Sequence, residues 1–286
     1  MVSKIETLIN GDKPLYSFSN WPDTSVFQTR QYRDARVEAH NAIFWVARAA
    51  HSFLKPLPEN SHLNLCWDSE THDFKTQIFG DNIQIGLNLS ELELYFCEKK
   101  EKVPHSFWLD EKTPAFVEAW YLVELLHRGI DPEMFSTTLP FESKDMLMGD
   151  TQDHNASLFK KELTALTDCI KNTVPLLEQF ADRLKQDNKN ASVQQKIVLQ
   201  PETFTLVLNN ILSGENDQKI TAGLSVGDNL RQTPFLFTKA IDHTNLSKNH
   251  ILDYEPECLI SLDAIIEKAF AQNELVNKMY KSVVKS

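Results

Sequence analysis

The order of helical and strand patterns along this chain is the feature that most limits its fold. A long helical pattern, four short stretches of alternating polarity and a closing helical pattern run from about residue 30 to 130. The same order recurs from about residue 155 to 284. The turns between the alternating stretches are too short for the crossovers that parallel strands require. The sequence therefore predicts an α+β fold of two similar helix–four-strand–helix halves, with helices covering one face of an antiparallel sheet.

Four helices are predicted from the spacing of apolar residues at three and four positions. They cover residues 30–54, 114–128, 155–186 and the stretch that follows Ser261 or Asp263. Pro56 ends the first helix, because proline cannot continue a helix interior. Thr113 precedes a proline that suits the first position of the second helix, and Gly129 follows its end. Pro175 predicts a kink or a restart within the third helix.

Strands are predicted where apolar and polar residues alternate with a period of two. They cover residues 63–67, 74–78, 83–87, 92–96, 197–199, 204–208, 220–226 and 235–238, with a short strand at 259–260. The polar face of this sheet is expected to contact water. The predicted core comprises Phe44, Leu65, Trp67, Ile85, Leu94, Phe96, Trp120, Phe159, Leu166, Phe204, Leu206, Leu224, Phe237, Ile266 and Phe270.

We divide the chain into three segments that are expected to pack as one compact body. Residues 1–29 form an N-terminal leader that packs through its aromatic residues. Residues 30–152 form the first α/β unit together with a connector at 130–152, and residues 153–286 form the second unit. The connector is apolar enough to pack against the body, so it differs from a free linker.

Composition limits the partners and the compartment. The net charge is −11 and no basic stripe is present, so nucleic acid is not expected to bind. No stretch reaches the ~18–20 apolar residues of a membrane span, and the first ten residues lack the apolar core of a signal peptide. Four cysteines lie far apart, which favours reduced thiols and a cytoplasmic location.

Two clusters of polar residues are candidates for a ligand-binding site. His40, Trp45 and Arg48 lie on the first helix, where His40 and Arg48 share a similar face and Arg48 could bind an anion. Asp153 and His154 precede the third helix and could supply a general base with its orienting carboxylate. The competing interpretations are a solvent face for the first cluster and helix N-capping for the second.

A metal or cofactor site is not predicted. His62, Cys66, His72 and Asp73 match no established zinc spacing, and we interpret them as the water-facing side of a β-hairpin. Gly223, Gly227-Asp228 and Arg231 surround a strand connection, where glycine more often serves a turn than a ligand. A nucleophile elbow, a dinucleotide fingerprint and a phosphate loop are all absent from the sequence.

Short segments spread over most of the chain resemble a bacterial family whose members share a domain of unknown function. These segments are Trp21-Pro22-Asp23-Thr24, Glu38-Ala39-His40 through Arg48, Leu139-Pro140-Phe141 with Asp153-His154-Asn155-Ala156-Ser157, and Ala222-Gly223-Leu224 with Gly227-Asp228 and Pro234-Phe235. The chain departs from the family pattern at Ala42, where a tryptophan is usual, and at Val198-Leu199-Gln200-Pro201. The resemblance implies one fold over the whole length and supplies no mechanism.

Three functions remain open from the sequence. The first is a non-catalytic binding protein that uses the groove between helices and sheet for a small molecule or a protein partner. The second is an unfamiliar hydrolase or transferase that uses His40 or His154. The third is an oligomeric interaction or scaffold protein. The oligomeric state itself is not predicted.

Overall fold

The computed structural model describes residues 21–143, 146–188, 191–193, 196–212, 218–228, 230–242, 256–267 and 272–284. The chain has an α+β fold with an open antiparallel sheet and several helices, which agrees with the predicted fold class. Of the predicted leader, only the part from Trp21 onwards is described. Trp21 packs against the main core, and Val26 and Phe27 belong to that core. Phe270, a predicted core residue, lies outside the described residues.

The helices follow the predicted pattern with two differences. They are α1 (Arg30–Phe53), α2 (Pro114–His127), α3 (Lys160–Asp187), α4 (Leu262–Glu267) and α5 (Gln272–Val283). Pro175 lies inside α3, and the helix continues through it without a break. The closing segment, which was expected as one helix, contains two helices, α4 and α5.

The strands of both halves form a single sheet. They are β1 (Leu65–Asp68), β2 (Asp73–Lys75), β3 (Ile83–Asn88), β4 (Glu93–Glu98), β5 (Glu101–Lys102), β6 (Phe107–Trp108), β7 (Ala191–Val193), β8 (Val198–Gln200), β9 (Thr205–Leu212), β10 (Gln218–Ser225), β11 (Phe235–Asp242) and β12 (Cys258–Ser261). The order is β12-β11-β10-β9-β8-β1-β2-β3-β4-β5, while β6 pairs with β4 and β7 with β9. All of these pairs are antiparallel.

The pairing of β1 with β8 joins the two halves, because Cys66 lies opposite Val198. The register then aligns one residue from each of nine strands in a continuous row, which we call the central row. It runs Tyr95, Gly86, Lys75, Cys66, Val198, Val207, Gly223, Phe237 and Leu259. Side chains of a strand alternate between faces, so the whole row lies on one face of the sheet.

The helices pack on the face of the sheet that does not carry the side chains of the central row. Alternate strand residues such as Leu65, Ile85 and Leu206 belong to the main core together with residues of α1, α3 and α5. Helix α1 contacts β3, α3 contacts β9 and β10, and α5 contacts β11 and β12. Rings of α2 lie over Phe96 of β4. We call the other face, which carries the central row, the opposite face.

The predicted burial of Phe237 is confirmed, although this residue lies in a second core cluster on the opposite face, because its strand register turns it away from the helices. The burial prediction for Ile266 is wrong, since this side chain is 38% exposed. The opposite face is also less exposed to solvent than predicted, because Asp73, Lys75 and Glu93 are buried. Trp67, Trp120 and Phe159 pack at the margin of the main core and are half-buried.

No helix in the described part of the chain combines the length and the apolar character that crossing a bilayer requires.

Candidate functional site

Arg48 of α1 is buried against the connector. Its Nε donates a hydrogen bond to the carbonyl oxygen of Thr137 at 2.7 Å, and its guanidinium lies 4.2 Å above the ring of Trp45. Burial lowers the pKa of Arg48 from its ordinary value to about 10. Two of the predicted site residues, Trp45 and Arg48, are therefore in contact, and Arg48 binds the chain's own backbone.

Other polar residues of α1 also bind the connector. Oδ1 of Asn41 accepts a hydrogen bond from the backbone N–H of Leu147 at 2.7 Å, and Oγ of Ser52 accepts one from that of Ser136 at 2.9 Å. Each of these bonds satisfies a backbone N–H that secondary structure does not pair. This side of α1 thus fixes the path of the connector across the helix.

His154 is completely buried at the end of the connector. Its Nδ1 lies 3.0 Å from Oε2 of Glu38 on α1, and its Nε2 is buried with no hydrogen-bond partner. Asp153 is exposed and does not orient this imidazole, because the carboxylate that does so belongs to Glu38. Glu38 was not predicted as a site residue, since its partner lies 116 positions away in the sequence.

The interpretation of Asp153 and Asn155 as helix N-caps is wrong. A 3-10 turn, Ser157–Phe159, precedes α3, and α3 begins only at Lys160. The backbone N–H of Ser157 donates to Oδ1 of Asp110, which comes from the segment before α2. A distant carboxylate therefore supplies the bond that a local cap was expected to make.

His40 lies on a different side of α1. Its Nε2 is 2.6 Å from the carbonyl oxygen of Pro201, and its ring packs against Phe44 and Phe204. Because His40 and Glu38 are two positions apart on a helix, they point in nearly opposite directions. The described contacts of His40, Arg48 and His154 thus lie at three separate places.

The opposite face carries a polar network on its β1–β4 part. The hydroxyl of Tyr95 donates to Oδ2 of Asp73 at 2.5 Å, and Nζ of Lys75 donates to Oδ2 of Asp68 at 2.6 Å. The other carboxylate oxygen of Asp73 is buried and has no partner. Burial raises the pKa of Asp73 above its ordinary value, and the Tyr95 hydroxyl partly offsets this effect.

Further charged groups surround this network. Nζ of Lys102 lies 2.6 Å from Oε1 of Glu93 and 4.4 Å from the centre of the Tyr95 ring. Burial raises the pKa of the nearby Cys97 thiol, which keeps it protonated and unreactive. The network is therefore nearly closed, and the second oxygen of Asp73 is buried within it.

The β8–β12 part of the opposite face is apolar. Val207, Phe235 and Phe237 form a buried cluster that is separate from the main core, and Val198 and Leu259 pack at its margin. The ring of Phe237 lies across Gly223, where an added Cβ would come within 2.9 Å of it. Glycine in a strand often marks such a close approach, and Gly223 was interpreted as a turn residue.

A cavity of about 420 Å³ lies between α3 and α5, away from all of the predicted site residues. It is lined by Gln179, Asp182, Arg183, Gln186, Asn273, Val276 and Asn277. Arg183 is already paired with Asp187 at 2.8 Å. The only positive charge among the lining residues is therefore already neutralised.

No protein-family model, curated protein sequence or solved structure matches this chain. The resemblance to a bacterial family with a domain of unknown function stays a prediction, and the site must be judged by its own geometry.

Proposed function

We propose that this chain is a non-catalytic binding protein whose ligand is an amphipathic helix of a partner protein, seated on the opposite face. The observation that carries the proposal is the second apolar cluster, on the sheet face that points away from the described helices. A sheet with apolar surface on both faces is stable when a layer covers each face. Val207, Phe235 and Phe237 are themselves buried, so the partner helix would bind along the margin of the cluster, where Val198 and Leu259 are partly exposed.

The groove between helices and sheet is less suitable as a binding surface. In the described part of the chain, that space is filled by fully buried residues of the main core, such as Ile85, Leu166 and Leu206. Opening it would remove apolar area from the core at about 25 cal/mol per Å². We therefore move the proposed surface from the groove to the opposite face.

The dimensions of the surface favour a protein segment over a small molecule. The central row crosses nine strands, which at ~4.8 Å per strand is roughly 38 Å. Its apolar part crosses the five strands β8 to β12, or roughly 19 Å, which equals ~13 residues of helix. Small molecules bind in enclosed clefts of about 300–1,000 Å³. A row of this length suits a helix better.

Charge and the polar network favour a basic partner. The chain has a net charge of −11, which steers a cationic segment towards it. The unpartnered oxygen of Asp73 lies on the same face as the apolar cluster. If the network opened on binding, a lysine or arginine of the partner would satisfy this buried oxygen, because buried polar atoms are normally hydrogen-bonded.

We also propose that the two halves arose by duplication. The strand order is symmetrical about the β1–β8 pair, which places β3 and β10 at equivalent positions. Each of these strands has a glycine in the central row, and the next strand places an aromatic ring across it: Tyr95 over Gly86 and Phe237 over Gly223. Two matching glycine–aromatic pairs support the duplication at the level of individual residues.

Location and the alternative functions also remain proposals. The four cysteines are free, which supports a reducing compartment such as the cytoplasm.

An unfamiliar hydrolase or transferase that uses His40 or His154 would need both groups in one pocket. Their described contacts, with Pro201 and with Glu38, do not favour it. An oligomeric scaffold would use the same apolar cluster for a second copy.

The test uses two labelled peptides of about 18 residues that form amphipathic helices, one of Leu and Lys and one of Leu and Glu. We expect the Leu/Lys peptide to bind more tightly in a fluorescence anisotropy titration. Val198→Gln with Leu259→Gln should weaken binding by about tenfold or more, which corresponds to ~1.4 kcal/mol. The matched control is Val123→Gln with Leu126→Gln, at two exposed apolar residues of α2.

Equal loss of affinity in the test and control variants would refute the proposed surface. Sedimentation of the free protein measures its oligomeric state and so distinguishes the scaffold alternative from binding to a partner protein. A dimer that the Val198 and Leu259 substitutions dissociate would assign this face to a second copy.

A further inference from the structure

We propose that His105, Glu124 and His127 form a binding site for one divalent transition-metal ion, with zinc as the best match. Nδ1 of His105 lies 3.6 Å from Oε1 of Glu124, and Nδ1 of His127 lies 3.7 Å from the same oxygen. All three ligand atoms lie within 4.8 Å of one another. Two imidazoles and one carboxylate are a ligand set that zinc uses in proteins.

The spacing fits an ion better than hydrogen bonds. Hydrogen bonds from nitrogen to oxygen measure about 2.7–3.2 Å, so the two distances from Glu124 are too long for them. Zinc lies ~2.0–2.2 Å from such ligands in a tetrahedral arrangement, which separates neighbouring ligand atoms by roughly 3.3–3.5 Å. The Glu124 oxygen therefore needs to come only a few tenths of an ångström nearer to each imidazole nitrogen for the three side chains to hold the ion.

The fold brings these residues together from two elements. Glu124 and His127 are three positions apart on α2 and so share one face of the helix. His105 lies between β5 and β6, with a φ of 74° in the left-handed region that ordinary residues rarely adopt. The indole Nε1 of Trp120, also on α2, donates to the carbonyl oxygen of His105 at 3.0 Å. This bond holds the loop against the helix.

A neighbouring arginine orients the carboxylate. NH1 of Arg128 lies 2.7 Å from Oε2 of Glu124, which leaves Oε1 for the ion. Nε of Arg128 also lies 3.0 Å from Oε1 of Glu98, so two carboxylates share its charge. Such outer contacts fix the orientation of metal ligands. Glu124 is buried, whereas the two histidines are exposed and accessible to an ion from solution.

Three protein ligands leave a fourth position for water or for an external ligand. No metal-binding sequence motif predicts this site, because 19 positions separate His105 from Glu124. The proposed metal site is independent of the proposed binding surface. Its residues lie on α2 and the β5–β6 segment, outside the central row.

The test is calorimetric titration of the full chain with zinc chloride after treatment with a chelator. We expect one ion per chain, and replacement by cobalt(II) should give the visible absorption of a tetrahedral site. His105→Asn and His127→Gln should each weaken zinc binding at least tenfold. Asparagine at 105 preserves the backbone, because it tolerates left-handed φ values.

The matched control is His72→Asn, since His72 is also exposed and has a φ of 59°. The control should bind zinc like the unsubstituted protein. The proposal is overturned if the unsubstituted chain binds no zinc, or if His105→Asn and His72→Asn lower the affinity equally. Circular dichroism shows whether each variant is folded, and the two single histidine variants provide independent readings if one fails to fold.

Discussion

The imidazole Nδ1 of His154 lies 3.0 Å from Oε2 of Glu38, in a contact that joins the connector to the first helix. His154 has no exposed surface, and the side chain of Glu38 is only 12% exposed. The contact gives the predicted site residue His154 a partner on α1. Asn41, Arg48 and Ser52 of the same helix also bind the connector.

Glu38→Gln and His154→Gln should each lower the free energy of unfolding by about 2–3 kcal/mol, because each leaves a buried polar partner unsatisfied. In urea titrations the double variant should lose much less than the sum of the two. Glu91→Gln, which removes the partner of Lys160 in an exposed pair, should cost less than ~0.5 kcal/mol. Additive effects of Glu38→Gln and His154→Gln would contradict the contact.

Gly86→Ala should destabilise the protein by about 1–3 kcal/mol, since a Cβ at this position would overlap the ring of Tyr95. Tyr95→Leu combined with Gly86→Ala should recover part of the loss, because the shorter side chain leaves room. Gly223→Ala should also destabilise the protein, but a shorter side chain at Phe237 should not restore it, because the added Cβ would overlap the backbone oxygen of Leu206. Thermal or urea unfolding measures all three, and a tolerated Gly86→Ala would argue against the close approach.

Arg48→Lys should cost about 1–2 kcal/mol although it preserves the charge. Lysine cannot reproduce both the contact with the Trp45 ring and the directed bond to Thr137. Arg33→Lys, at an exposed position of the same helix, is the control and should be close to neutral. Inorganic phosphate should leave the unfolding temperature unchanged. If phosphate instead stabilises the protein and Arg48→Lys abolishes that effect, the predicted anion site at Arg48 is supported.

Stability should decline as the pH falls below about 6.5 because of His62. Burial lowers the pKa of this histidine below its ordinary 6.5, and the neighbouring His51 lowers it further. The unfolded chain therefore takes up the proton more readily, so stability is full above pH 6.5 and is lost as the pH falls through that value. His62→Gln should flatten the dependence between pH 7 and 5 in urea titrations, and an unchanged slope would show that other groups cause it.

Cys66 should be the one thiol that reacts readily with a disulfide reagent in the native protein. It is half-buried, whereas Cys97, Cys169 and Cys258 are buried. Burial also raises the pKa values of these three thiols, which suppresses the reactive thiolate. In urea all four should react. The absorbance of the thiolate that the reagent releases gives the number of reacted cysteines. In the native protein, Cys66→Ser should remove almost all of the fast reaction.

Local pattern was sufficient to predict the long helices and most of the strands, but not the short strands β5, β6 and β7. The helix at 114–128 was predicted from its flanking Thr113 and Gly129, and the structure has α2 at Pro114–His127. The start of α3 was placed too early because the polar residues before it resemble a cap. There the bond to Asp110, far along the chain, decides where the helix begins. Such a partner leaves no local signal in the sequence.

The sequence by itself determined the types of the elements, their order and the antiparallel character of the sheet. These follow from the periodicity of side chains and the length of turns, which are local properties. Only the tertiary structure decided that β1 pairs with β8, that Tyr95 meets Asp73, and that His105 approaches Glu124. The reason is physical: register and side-chain approach depend on how distant elements pack, and many packings are compatible with one local pattern.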